Sequence, residues 1–185
     1  MNQRIVIGIA GEMASGKDTV KEYLKKKYQA EEYRMSDILR YILNRLHIPI
    51  ERENFTKLSL ALRNSFGEDV LIKTVFADIS GNEEGILVVD GVRRLAEFEY
   101  LQKVPGFKFI YLMAPLEVRY KRLKQRDEKD GDKLKTITEF KKDHQLETEQ
   151  TILPLKEKAD FVVSNDGTLD ELYQKIDEIM KKISQ

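Results

Sequence analysis

Ile5-Val6-Ile7-Gly8-Ile9-Ala10-Gly11-Glu12-Met13-Ala14-Ser15-Gly16-Lys17-Asp18-Thr19 is the stretch from which the rest of the chain can be read. Ile5 to Ala10 is a nearly continuous apolar run with β-branched residues, the form of a strand buried on both faces. Gly11 and Gly16 bracket a short turn, and Lys17 follows directly. Val20, Tyr23 and Leu24 then recur at helical spacing. A strand, a glycine turn ending in lysine, and a helix make an anion cradle. Glycines let the backbone curl until several N–H groups face one anion. The helix adds its positive N-terminal end, and Lys17 brings a full charge to phosphate oxygens. Gly11, Met13, Ala14, Ser15, Gly16 and Lys17 are therefore the expected phosphate-holding residues.

Working outward, Glu32 to Met35 reads as a second, short strand. Ile38, Leu39, Ile42 and Leu46 mark a helix closed by Pro49. Asn54 to Ile79 is helical, with Gly67 separating two segments. Gly85 to Val89 is a buried strand ended by Asp90-Gly91. A helix through Leu95, Phe98 and Leu101 follows. Phe107 to Met113 is a strand, and Pro115 opens a helix through Leu116, Tyr120 and Leu123. Lys129 to Lys135 is a polar loop. Thr136 with Glu139 and Thr168 with Glu171 have capping-box spacing. Phe161 to Val163 is a last strand before a terminal amphipathic helix. Strands alternating with helices predict an α/β fold: three layers, α/β/α, around a five-stranded parallel sheet.

The bulk composition excludes several classes. The chain has 185 residues, enough for a single domain, with 41% hydrophobic and 35% charged residues and a formal net charge of zero. That neutrality gives no reason to expect a nucleic-acid or membrane partner. The basic residues near the polar loop interleave with Asp127, Glu128, Asp130 and Asp132, which also argues against nucleic acid. There is no cysteine, so thiolate chemistry is absent, and only His47 and His144 are available as imidazole ligands. The opening apolar run is too short for a signal peptide core and lacks a cleavage site. The expectation is a cytoplasmic protein, monomeric or homodimeric.

Two acids stand where a phosphate-bound cation would sit. Ile86-Leu87-Val88-Val89-Asp90 is an apolar strand ending in a carboxylate, and strand ends of a parallel sheet line the ligand crevice. Asp18 stands where Ser or Thr usually offers magnesium a hydroxyl, and Thr19 comes next. Asp18 is placed to hold magnesium directly, to hold it through water, or to cap the helix. The expected cofactor is Mg2+, with Asp18, Thr19 and Asp90 as its candidate ligands.

With these residues in view, the chain resembles the P-loop nucleoside-monophosphate kinase group over nearly its whole length. Within that group it looks closest to dephospho-coenzyme-A-kinase-like, archaeal-type proteins and to phage-type deoxynucleotide kinases, whose P-loop the run Gly11 to Thr19 resembles. Met35-Ser36-Asp37-Ile38-Leu39-Arg40 is similar to the segment that holds the acceptor nucleotide in such kinases. Asp90-Gly91-Val92-Arg93-Arg94 looks like their Asp-Gly-x-x-Arg segment. Asp160 to Thr168 resembles the loop that packs the adenine, which brings in Asn165 and Gly167. The resemblance implies a single P-loop kinase domain. Its core would be residues 1–35, 84–116 and 158–185, with a helical acceptor-binding insert near 36–80 and a lid near 117–150.

Under that resemblance the roles divide as follows. Lys17, with Asp18 and Thr19 behind it, holds the donor phosphates of ATP. Arg119, Arg122 and Arg126, spaced three and four apart, form a lid stripe that stabilises charge on the moving phosphoryl group. Ser36, Asp37, Arg40, Arg63, Arg93 and Arg94 hold a small phosphorylated acceptor. Asp37 and Arg40 share one helix face, opposite the apolar one, and arginine suits a phosphate-bearing partner. Asp37 accepts a proton if the acceptor is a hydroxyl; a phosphate oxygen needs no base. Lys17, Asp37, Arg93, Arg122 and Arg126 are thus the expected catalytic set. A nucleoside monophosphate, ribo or deoxy, is favoured as acceptor. Dephospho-coenzyme A is the alternative, disfavoured because the insert has no His-Pro pair and because the Asp-Gly-x-x-Arg segment is present. A P-loop ATPase or nucleotide-sensing switch is the alternative of another class.

Overall fold

Six of the seven residues of β1 (Ile5–Gly11) are buried, which a strand achieves only with neighbours on both edges and layers on both faces. The computed structural model describes residues 4–80, 85–125, 135–143 and 150–184. After β1 come α1 (Lys17–Tyr28), β2 (Glu31–Arg34), α2 (Met35–Arg45), α3 (Arg52–Phe66) and α4 (Val70–Ile79). Then follow β3 (Ile86–Asp90), α5 (Leu95–Leu101), β4 (Phe107–Met113), α6 (Leu116–Gln125) and α7 (Ile137–Asp143). A short 3-10 helix (Leu153–Lys158), β5 (Phe161–Ser164) and α8 (Leu169–Ile183) complete it.

The five strands form one sheet in the order β2-β3-β1-β4-β5, and every pairing is parallel. Alternation along β1 sorts the core into two halves. Val6 and Ala10 face one way, with Leu87, Val89, Phe109 and Tyr111. Ile7 and Ile9 face the other, with Val88, Ile110 and Leu112. The first half is covered by α4, α5 and the 3-10 helix through residues such as Ile72, Val75, Leu101 and Leu155. The second is covered by α1 and α8 through Val20, Leu24, Leu172 and Ile176. This is the three-layer arrangement expected from the sequence.

Local chemistry sets the element ends. Thr168 accepts a hydrogen bond from Glu171 N while the Glu171 carboxylate accepts from Thr168 N, so both ends of the capping box are closed. Thr136 and Glu139 close the same box on α7. α1 ends at Gln29, whose left-handed backbone lets Ala30 N reach Leu24 O. Gly67 follows α3 as expected. Met35, expected as the end of the second strand, is instead the first residue of α2, because its side chain turns into the core, 4% exposed. The 3-10 helix has no counterpart among the elements expected from the sequence. At 6 residues, with Pro154 in its first turn, it is too short to show periodicity, yet it buries Leu155 completely.

The helices α2, α3 and α4 all lie between β2 and β3. α4 and part of α2 pack on the sheet, whereas α3 gives the core only half-buried residues such as Phe55, Leu58 and Leu62. Parallel pairing brings the carboxyl ends of all strands to one edge, and register fixes who stands beside whom. Ile9 and Arg34 both lie opposite Asp90, and Met113 opposite Ser164.

Candidate active site

The loop from Gly11 to Gly16 leaves that sheet edge from its centre. Gly11 has φ 150° and Gly16 φ 105°, and Ala14 is left-handed at φ 59°. A Cβ on Gly11 would fall 2.2 Å from Leu112 O, and one on Gly16 would fall 2.2 Å from Asn165 Nδ2. Both positions therefore require glycine for space as well as for backbone angle. Ser15 is completely buried, and its Oγ is the one buried side-chain polar atom among the described residues without a hydrogen-bond partner. Lys17 opens α1, and its Nζ donates to Gly11 O at 2.7 Å and Glu12 O at 3.0 Å. Its ammonium thus folds over the mouth of the loop.

α6 and the loop after β5 close on this cradle. Arg119, 4% exposed, donates from Nε to Ala114 O at 2.9 Å, and its other end pairs with Glu12 at 2.9 Å. Its guanidinium lies 5.9 Å from the centre of the Phe140 ring, which ties α6 to α7. Arg122 donates to both the carbonyl and the side-chain oxygen of Asn165, at 2.9 and 3.2 Å. Asn165, itself buried, donates to Ser15 O at 2.8 Å. Gly167 is exposed two residues on. Arg126 lies outside the described residues, as does most of the polar loop.

Across the edge, at the ends of β2 and β3, the expected acceptor residues fall into two groups. Ser36, Asp37 and Arg40 occupy the first turns of α2; Arg40 Nε lies 3.6 Å from Asp37, and the guanidinium lies 5.4 Å from the Phe55 ring centre. Arg63, Arg93 and Arg94 gather around two acids. Glu97 is fully buried and accepts from Arg93 N at 2.7 Å, Arg94 N at 3.1 Å and Arg63 Nη2 at 2.6 Å. Glu68 accepts from Arg94 Nη1 at 2.7 Å, and its carbonyl accepts from Arg63 Nη1. Arg63 is 7% exposed, so it braces the loop carrying Arg93 from behind; the Arg93 side chain itself is exposed.

The residues expected at a metal have acquired a partner that sequence reasoning missed. Lys21, 2% exposed, places Nζ 2.5 Å from Asp90, 2.9 Å from Asp18 and 3.0 Å from Glu32. Glu32 also accepts two hydrogen bonds from Arg34, at 2.5 and 2.8 Å. Burial alone would lower the Lys21 pKa, but the charge and hydrogen bond of Asp90, then of Asp18, overcome it and hold the ammonium protonated. Burial would raise Glu32; hydrogen bonds from Arg34 and Lys21 bring it instead down to about 2. Thr19 sits half-buried in the first turn of α1. Among the described residues no group of three or more acidic or histidine side chains is arranged to hold a metal by itself. The hard oxygens of Asp18 and Asp90 fit a magnesium ion that brings most of its ligands with a nucleotide, not one caged by protein alone. The only sequence sign of Lys21 was its place between Val20 and Leu24 on the buried face of α1. For Glu97 it was an acid three residues after Arg94, at a helix start.

A profile of the AAA domain family matches residues 7–149. The UPF0200/UPF0201 protein of Archaeoglobus fulgidus is 33% identical over 184 residues, covering 97% of this chain and 56% of that protein, so the chain spans little more than half of that relative. The UPF0200 protein of Sulfurisphaera tokodaii is 32% identical over 178 residues, covering 96% of this chain and 97% of that protein. Among solved structures, shikimate kinase from Bacteroides thetaiotaomicron superposes with a TM-score of 0.63 at 16% identity, covering 96% and 98% of the two chains. The APS kinase of Mycobacterium tuberculosis, in complex with AMPPNP and APS, gives 0.59 at 18% identity, covering 98% and 99%. These likenesses establish the fold as that of the P-loop kinases.

Proposed function

This chain belongs to the AAA domain family and to the UPF0200 proteins, and on that footing we propose that it is an ATP-dependent phosphotransferase acting on a second small molecule, a ribo- or deoxynucleoside monophosphate. The observation that carries the reading is the presence of two polar sites along one sheet edge. One is the glycine loop with Lys17, Arg119 and the Arg122–Asn165 pair. The other is the Asp37–Arg40 and Arg93–Arg94 group, on the far side of Asp90. A nucleotide hydrolase or switch needs only the first.

In this reading the loop amides and Lys17 hold the donor phosphates, and the Lys17 ammonium exchanges its loop carbonyls for phosphate oxygens. Arg119 and Arg122 set the height of α6 over the donor, so that closing the lid keeps water from the reaction. Arg40 and Arg93 orient the acceptor phosphate. A magnesium ion arriving with ATP would be held by Asp18, Asp90 or Thr19, directly or through water, and would neutralise charge on the phosphates. Where the acceptor presents a hydroxyl, Asp37 takes its proton. The structural neighbours named for shikimate and APS make hydroxyl acceptors a necessary part of the test. The protein is expected in the cytoplasm, as a monomer or homodimer.

The deciding experiment offers ATP with a panel of ribo- and deoxynucleoside monophosphates, dephospho-coenzyme A and small hydroxyl acids, and follows both ATP loss and acceptor phosphorylation. Phosphorylation of one monophosphate well above the rest is the expected result. ATP loss without any phosphorylated acceptor would establish an ATPase instead.

A further inference from the structure

Lys21 stands one helical turn beyond Lys17, and nothing in the phosphate chemistry calls for it: it is 2% exposed and faces away from solvent. Its ammonium lies where three elements meet. Asp18 comes from α1, Glu32 from β2 and Asp90 from β3, all within 3.0 Å of Nζ. Two of these acids are the ones a nucleotide-borne cation would use. Three carboxylates brought this close repel one another, and two of them are largely out of water: Glu32 is 7% exposed and Asp90 19%. Such a group needs a cation at its centre to fold. Arg34 neutralises Glu32 from the outside, and Lys21 supplies the charge at the centre.

We infer that Lys21 is a positioning residue: a tethered ammonium that occupies the cation position between Asp18 and Asp90 and makes divalent-metal binding conditional on nucleotide. The consequence for transfer rests on the kinase reading above; the occupancy itself does not. A lysine cannot dissociate, so the free protein keeps its carboxylates aligned without a metal. A free divalent ion meets acids already neutralised and binds poorly. An ion that arrives coordinated by phosphates needs one or two carboxylate contacts and is admitted. Lys21 then keeps the remaining acid in register with the end of β3.

The test titrates Mn2+ into nucleotide-free protein, followed by electron paramagnetic resonance of the free ion. Wild type is expected to show no site tighter than about millimolar, while Lys21→Met gains one site at least about tenfold tighter, lost again in Lys21→Met/Asp90→Asn. Equal Mn2+ affinity in wild type and Lys21→Met overturns the inference. Should the variant fail to fold, the wild type still decides, by thermal unfolding. An unchanged Tm in Mn2+ supports the tethered cation, and a rise of several degrees without nucleotide overturns it. Neither arm involves phosphoryl transfer, so a chain that phosphorylates nothing in the acceptor panel would leave these outcomes readable.

Discussion

Arg122 on α6 holds Asn165 twice, through the backbone carbonyl at 2.9 Å and the side-chain oxygen at 3.2 Å, and so joins α6 to the end of β5. The asparagine amide passes the connection to Ser15 in the glycine loop. Three segments distant in sequence thus share one small residue. Asn165→Ala should break the relay and raise the ATP KM about tenfold or more, the scale of one or two buried hydrogen bonds. The acceptor KM should hardly move. Steady-state kinetics with each substrate varied in turn gives the answer; an unchanged ATP KM would remove Asn165 from the donor site.

Lys17→Ala should cut transfer at least about a hundredfold, the usual effect of removing one preorganised charge from a reacting phosphate. Lys17 is half-buried at the start of α1 and its Nζ donates to the carbonyls of Gly11 and Glu12, so the Tm should stay within a few degrees. A folded variant with full activity would contradict the cradle assignment.

Arg40 pairs with Asp37 at the surface, both side chains about half exposed. Such a pair contributes at most about 1 kcal/mol to stability. Arg40→Ala should therefore leave unfolding in urea nearly unchanged while raising the acceptor KM about tenfold, the weight of one charge-assisted contact. If the acceptor KM stays put, Arg40 belongs to the surface and not to the site.

Glu97 carries the opposite balance. It is fully buried beneath Arg63 and the amides of Arg93 and Arg94. Glu97→Gln should cost on the order of 3 kcal/mol, because it leaves the Arg63 guanidinium buried without its counter-charge. Urea unfolding measures this directly. Arg63→Met/Glu97→Gln should recover part of the loss, and a double variant no better than the single one would show that the charge pair is not the cause.

Acid should loosen the Lys21 network through Glu32. Its folded pKa of about 2 lies below the ordinary 4.5, so the unfolded chain takes up the proton first as pH falls. The stabilisation is complete above about pH 5 and disappears on descending through the folded value, with a total on the order of 3 kcal/mol. Glu32→Gln should flatten the Tm profile between about pH 5 and pH 2. A variant with the same acid slope as wild type would place the titration elsewhere.

The sheet centre β1, β3 and β4 was legible because strands buried on both faces write themselves as apolar runs, whereas the edge strand β2, Glu31–Arg34, is polar and only half-buried. The two capping boxes were legible because their chemistry spans only three residues. What stayed hidden was assembled across the chain. Asp90 is far in sequence from Lys21 and Glu32, and their meeting follows from β2 and β3 lying side by side with Arg34 opposite Asp90. The pairing of Arg63 with Glu97 was hidden too, because the two lie thirty-four residues apart. The 3-10 helix was hidden by brevity, and the P-loop was readable because its ligand groups are consecutive.

The strand order has a consequence for how the protein is made. β1 leaves the ribosome before either of its sheet neighbours, β3 and β4, which end at Asp90 and Met113. At roughly 5–20 residues per second, the first apolar strand waits several seconds for its second partner. During that interval the glycine loop hangs from a strand with at least one unpaired edge and has no Leu112 backbone to close against. The nascent chain is therefore without its anion cradle, and open to β-sheet mispairing, until β4 has been synthesised.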